Sequence, residues 1–119
     1  MHEQLTHLPH TIVPLFKSGI IYLCRTKDEW INAHTTLGGN ATLLDRAGGA
    51  NTFKNTQGGL DIHLIGVFDN KPSTIAHEVA HIVFDICQTV GIEVKTGQAN
   101  ETFCYLLDYL VDFVEKANQ

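Results

Sequence analysis

Residues 69–91 read DNKPSTIAHEVAHIVFDICQTVG and contain the clearest helical pattern of the sequence. Pro72 suits the first turn of a helix, and Gly91 is the kind of residue at which helices end. At about 100° per residue, the apolar side chains of this stretch fall on one stripe. The pattern predicts an amphipathic helix from about Pro72 to Val90. We expect this helix to pack on a core through its apolar stripe, which consists of Ile75, Val79, Ile82, Ile86 and Val90.

Regular patterns also flank this helix on both sides. Upstream, Gly19–Cys24 (GIIYLC) predicts a buried strand. Thr26 and Glu29 then have the spacing of a capping box, at the start of a helix that Gly38-Gly39 ends. Downstream, a last helix is expected from roughly Gln98 to Lys116.

Glycine pairs divide the region between the first two helices. Segments Ala41–Arg46, Asn51–Asn55 and Leu60–Phe68 alternate with Gly48-Gly49 and with Gln57-Gly58-Gly59. Because glycine supplies the positive φ angles of tight turns, we interpret these pairs as the turns of an antiparallel meander. The element order therefore predicts an α+β fold with a small, mostly antiparallel sheet.

The composition fits one domain over residues 1–119, with an irregular N-terminal segment at residues 1–18. Eight basic residues against thirteen acidic ones give a net charge of −5, so nucleic-acid binding is not expected. No signal peptide or apolar run near the roughly 18 residues of a membrane span is visible. Three cysteines without a CxxC pair indicate reduced thiols, so we expect a cytoplasmic protein.

His77, Glu78 and His81 form an H-E-x-x-H sequence on the predicted helix. A spacing of four residues puts both imidazoles on one face, where they can bind the same metal ion. Glu78 projects toward the same side and can take a proton from a water molecule at the metal. Two surface histidines beside a glutamate are the alternative interpretation of the same residues.

A zinc ion that performs hydrolysis needs a third protein ligand and an open position. The metzincin extension would need glycine at 84 and histidine at 87, where this chain has Phe84 and Cys87. Nineteen residues separate His81 from Glu101, at the start of the last helix, a spacing similar to that of the gluzincins. A glutamate there can instead be a partner of the helix dipole, so both roles stay open.

The run HEVAH followed by NETFCYLLDYL resembles the small gluzincin-type zincin metallopeptidases of bacteria, phage and prophage, over roughly residues 60–114. The resemblance implies one zinc ion per chain, with His77, His81 and Glu101 as ligands and Glu78 as general base. It also implies a minimal zincin-like fold and a peptide or protein substrate. For a phage protein, the compartment would be the host cytoplasm.

Weaker signals surround this motif. Many gluzincins have an aspartate where this chain has Tyr105, and Asp108 is the nearest replacement as an orienting residue. His63 and Tyr105 are the two candidate donors to the oxyanion of a scissile peptide bond. Cys104 is interpreted as a small hydrophobe and His34 as a structural histidine.

Two further functions are compatible with the sequence. The first is a zincin-fold protein that keeps its metal site but binds a protein partner with little proteolysis. The second is a phage accessory protein with no metal at all. A regulatory protein partner is compatible with the peptidase as well.

Overall fold

The computed structural model describes residues 3–41, 46–55, 58–98 and 100–118. The strands form one four-stranded mixed sheet, and three helices accompany it, so the expected α+β class is confirmed. A short 3₁₀ turn, Glu3–Leu5, precedes the first strand. The elements then run as β1 (His10–Ile12), β2 (Gly19–Cys24), α1 (Lys27–Thr36), β3 (Gly48–Phe53), β4 (Asp61–Val67), α2 (Pro72–Val90) and α3 (Glu101–Ala117).

The sheet has the strand order β1-β2-β4-β3. β1 pairs with β2 and β3 pairs with β4 in the antiparallel sense, whereas β2 and β4 are parallel, with Tyr22 opposite Leu64. The sheet is thus mostly antiparallel, but it is not the expected meander. Parallel neighbours cannot be joined by a tight turn, and α1 lies in the connection between them and packs against both.

The first glycine pair is where the meander prediction is wrong. Gly48 and Gly49 are not a turn but lie inside β3, with Gly49 opposite Gly66. Ala41 and Arg46, the ends of another expected strand, are outside any strand, and residues 42–45 are not among the described residues. A side chain at position 48 is excluded by packing, because its Cβ would lie 2.5 Å from the carbonyl oxygen of Gly66.

The central strands are buried on both faces. One set of alternating residues packs with α2 and α3, and the other set packs with α1 and the N-terminal segment. Near-continuous apolar strands are typical of parallel pairs covered on both sides, which explains the unbroken GIIYLC run. The first set is Ile21, Leu23, Ile65 and Val67, and the second is Ile20, Tyr22 and Leu64.

The N-terminal segment, expected to be irregular, is held to the domain. Leu5 and Leu8 are buried in the α1 layer, and Val13 is buried in the α2 layer. β1 adds a strand to the edge of β2, with His10 opposite Tyr22. Burial of these apolar side chains therefore fixes a region whose local pattern is too short to indicate a strand.

The helices agree with the sequence-based predictions more closely than the strands do. Thr26 caps α1 by accepting a hydrogen bond from the backbone N–H of Glu29 at 3.0 Å. α2 has the predicted bounds and ends at Gly91, whose φ of 79° is left-handed. α3 begins at Glu101, three residues later than expected. Among the described helices, none has both the length and the apolarity that a bilayer crossing requires.

Candidate metal centre

The two histidines of the motif lie on the exposed face of α2 and approach each other closely. Their Nε2 atoms are 3.3 Å apart, and the ring planes are inclined at 76°. The opposite face of the helix is buried through Ile75, Val79 and Ile82, as the apolar stripe predicted. Packing of that stripe leaves both imidazoles facing the same side, outside the core.

The separation of the two nitrogens fits a shared metal ion. A Zn–N bond of about 2.0–2.1 Å at a tetrahedral angle places two ligand nitrogens about 3.3 Å apart. Imidazole nitrogens are also ligands that zinc and its transition-metal neighbours accept. Within the described ranges, His77, Glu78 and His81 form the group of donors in which all candidate atoms lie within 4.8 Å of one another.

Glu78 is the buried member of this group, with a relative exposure of 8%. It lies below β3, because a Cβ on Gly48 would be only 3.0 Å from Cγ of Glu78. Burial raises the pKa of the Glu78 carboxyl, and the neighbouring His77, His81 and Arg46 oppose that rise. A glycine in β3 thus allows the strand to close over the carboxylate that the motif places between its histidines.

A cleft runs between α2 and the start of β3. One cavity, of about 270 Å³, is lined by Gly48, Thr74, His77 and Glu78, and a second, of about 230 Å³, extends past His81. Their lining residues include Arg46 in both cases. No sequence motif marks Arg46, since only the path of the chain before β3 brings it to this cleft.

Asp85, one helical turn after His81, is a second residue that the motif does not reveal. It lines the cleft beside Glu78 and His81. Its Oδ2 accepts a hydrogen bond of 2.9 Å from Oγ1 of Thr52, and that hydroxyl is in turn 2.9 Å from Nδ1 of His63. The hydroxyl has one hydrogen, which it gives to Asp85, so Nδ1 of His63 is the donor to it.

His63 is therefore a link in a buried polar chain. It is 1% exposed, and its Nε2 lies against the backbone of Gly19, where an added Cβ would be 2.9 Å away. It does not line either cavity of the cleft. The structure thus does not bring this candidate oxyanion donor beside Glu78, and its catalytic role stays a prediction.

Tyr105 and Glu101 lie on α3, outside the group formed by the motif. Tyr105 lines a different cavity, on the side of α3 that faces the turn after β1. Glu101 precedes Phe103, whose ring is 4.7 Å from that of Phe84 in the C-terminal half of α2. The structure does not bring either residue to His77, so both roles stay predictions.

The remaining histidine on a helix is structural, as expected. Nδ1 of His34 donates to the carbonyl oxygen of Trp30 at 2.9 Å, and Nε2 accepts from the side-chain amide of Asn51 at 3.1 Å. Both ring nitrogens are therefore used: Nδ1 fixes the ring on α1, and Nε2 links α1 to β3. Cys104 is exposed on α3 with a free thiol.

Comparisons with known proteins add no relationship to this geometry. No family model matches the chain, and searches of curated proteins and of solved structures find no match either. The residues of the cleft are therefore the basis for inferring the function of this protein.

Proposed function

We propose that this protein is a zinc-dependent metallopeptidase in which His77 and His81 bind the ion and Glu78 is the general base. The observation that carries the proposal is the convergence of the two Nε2 atoms, 3.3 Å apart, with a buried carboxylate at the same point. Zinc bound there would supply a Lewis acid that polarises a peptide carbonyl and acidifies a water molecule.

Residues of the chain would then transfer the proton and orient the substrate. The Glu78 carboxylate accepts a proton from the attacking water and passes it to the nitrogen of the leaving amine. The walls formed by β3 and α2 keep this carboxylate in a fixed position, which favours one geometry of attack. Arg46 stands at the cleft as a cation that can pair with a negative group of the substrate.

An extended peptide fits this arrangement because β3 is the edge strand of the sheet. Its partner β4 occupies one side, and Gly48, Gly49 and Ala50 line the cleft on the way to Glu78 and His81. A peptide that adds to a sheet edge is held by main-chain hydrogen bonds, largely independent of its sequence. Its scissile bond would lie near the histidine pair.

The test begins with metal content. Protein purified without added metal and then dialysed against zinc should hold about one ion per chain by elemental analysis. His77→Ala should lose that ion, whereas His7→Ala, which removes an exposed histidine from the N-terminal segment, should keep it. If His77→Ala retains zinc as well as His7→Ala does, the assignment of the site is wrong.

Glu78→Gln separates catalysis from a structural metal site. The amide keeps the size of the side chain but cannot accept a proton, so zinc content should be unchanged. Hydrolysis of a fluorescently labelled, unfolded casein should fall by about a hundredfold or more. Zinc loss in Glu78→Gln would make Glu78 a ligand, and unchanged turnover would exclude it as the base. A zinc-loaded wild type that cleaves no unfolded protein would contradict the peptidase proposal itself.

A further inference from the structure

A groove of about 570 Å³ lies between the turn after β1 and the outer face of α3. It shares no lining residue with the two cavities beside the histidine pair. Its apolar wall comes from Pro14 and Leu15 of the turn and from the ring of Tyr105. The groove is therefore a separate feature of the surface, and nothing in the proposed peptidase mechanism uses it.

The α3 wall of the groove has a regular chemical pattern. Tyr105, Asp108, Tyr109 and Asp112 line it, and their spacing of three, one and three residues puts them on one helical stripe. Two aromatic rings thus alternate with two carboxylates along the groove. The wall combines ring faces with negative charge, rather than presenting apolar surface alone.

Both aromatic side chains of this wall are exposed, and one of them, Tyr109, is held by a hydrogen bond. Tyr105 is 71% exposed and Tyr109 is 41% exposed, values that are high for large side chains beside a cavity. The hydroxyl of Tyr109 is 2.6 Å from Oγ1 of Thr11 in β1, which fixes the ring against the sheet. A partner would therefore meet the Tyr109 ring already in position, which reduces the cost of binding.

The turn also carries an exposed aromatic residue that is next to the groove-lining residues in sequence but is not one of them. Phe16 follows Leu15 and is 78% exposed. Phe16 and Lys17 have φ angles of 59° and 47°, in the left-handed region that non-glycine residues rarely occupy. Backbone strain of this kind is concentrated at ligand-binding and active-site segments of proteins.

The charge of α3 indicates the sign of the partner. The helix carries Glu101, Asp108, Asp112 and Glu115 against a single Lys116, a net charge of −3 out of −5 for the whole chain. Lys116 pairs with Asp112 at 2.9 Å, so part of the charge of that carboxylate is already balanced. The field at the groove is still negative and attracts a basic group.

We propose that this groove binds an arginine-bearing, apolar segment of another protein. A guanidinium is planar, so it can stack on the face of Tyr105 or Tyr109 while its N–H groups pair with Asp108 or Asp112. The apolar residues of the segment would cover Leu15 and Phe16. Lysine, with a compact and strongly hydrated charge, cannot make the stacked and paired contact together.

The direct test is a peptide titration followed by NMR. The probes are acetyl-Leu-Arg-Leu-Arg-amide and the same peptide with lysine or glutamate in place of arginine. The arginine peptide should bind saturably and shift the backbone resonances of Leu15, Tyr105 and Tyr109, leaving those of His77 and His81 unchanged. Affinity should fall about threefold for the lysine peptide, and the glutamate peptide should not bind.

Variants assign the binding to the groove. Asp108→Asn/Asp112→Asn should weaken the arginine peptide about fivefold, the effect of losing two exposed charge pairs. Asp28→Asn/Glu93→Gln removes the same net charge elsewhere on the surface, so it should bind like wild type. Tyr105→Ser should weaken binding, whereas Tyr105→Phe, which keeps the ring, should not.

Four results would overturn the proposal. These are the absence of saturable binding, equal affinity for the lysine peptide, equal weakening by both double variants, and shifts confined to another surface. Self-association of the protein with shifts at Leu15 and Tyr105 would identify a second copy of the chain as the occupant instead. Peptide binding is measured without substrate and separately from zinc content, so a failure of this proposal is distinguishable from a failure of the proposed function.

Discussion

The buried imidazole of His63 should make the fold sensitive to mild acid. Burial lowers the pKa of His63 from 6.5 to about 4, against the opposing effect of Asp61 and Asp85 and with a further lowering from Lys54. In the unfolded chain the ring is in water and takes up a proton as the pH falls through about 6.5. The folded protein takes it up only near pH 4. Between these values the unfolded state binds more protons, so the free energy of unfolding decreases as the pH falls.

The size of the effect follows from the two pKa values. Each pKa unit is worth about 1.36 kcal/mol, so the difference of about 2.5 units corresponds to about 3 kcal/mol. This contribution of His63 to the free energy of unfolding is fully present above pH 6.5 and is lost by pH 4. At pH 5 about 2 kcal/mol of it should be gone, which is a large share of the stability of a small domain.

The assay is urea denaturation at pH 7.0, 6.0 and 5.0, with EDTA present so that metal binding does not contribute. Wild type should lose about 2 kcal/mol more between pH 7 and pH 5 than His63→Gln, which keeps an N–H donor for Thr52 but does not titrate. His7→Gln, which replaces a histidine at an exposed position, is the matched control and should follow wild type. The comparison uses slopes with pH, so a lower stability of His63→Gln at pH 7 does not affect it.

Two outcomes would refute the reasoning. The first is a pH dependence of His63→Gln that equals that of wild type within about 0.5 kcal/mol. The second is an NMR titration of the wild-type protein in which the His63 ring takes up its proton near pH 6.5. The second measurement needs no variant, so it remains decisive if His63→Gln does not fold.

Two substitutions test other parts of the site. If Glu101 is the third zinc ligand, as the sequence predicts, Glu101→Ala should lower zinc content more than Cys104→Ala, because only the first variant removes a ligand of the expected His2Glu site. Equal zinc content in the two variants would exclude Glu101 as a ligand. Gly48→Ala should lower the free energy of unfolding, measured by urea denaturation, by about 1–3 kcal/mol, because the added Cβ would press on the Gly66 carbonyl. It should also lower peptidase activity, because the same Cβ would displace Glu78. A variant as stable as wild type would show that β3 can move away.

The helical parts of the molecule could be predicted closely, and the reason is local. A proline, an apolar stripe and a glycine fixed the bounds of α2, because helical hydrogen bonds and side-chain neighbours lie three or four residues apart. The same periodicity places His77 and His81 together without the help of any tertiary contact. The outward stripe of α3, including Tyr105, was also predictable on this basis.

The sheet could be predicted only in part. The apolar runs of β2 and β4 are long enough to predict both strands. Their parallel pairing, however, depends on the route of the chain through α1. A glycine pair is typical of a turn, but Gly48 and Gly49 lie in strand β3, because they pair with β4 and Glu78 packs below them. Strand partners are distant in sequence, so a local pattern does not identify them.

Local sequence is sufficient for the bounds of α2 and the convergence of His77 and His81, because both depend on neighbours within a turn or two, and the order of the elements is sufficient for the α+β class. Tertiary structure alone decided the burial of Glu78, the presence of Arg46 in the cleft and the link from His63 to Asp85. Each of these joins elements far apart along the chain. Their contacts arise from how β3 packs on β4 and α2, a long-range arrangement that no repeat of three or four residues encodes.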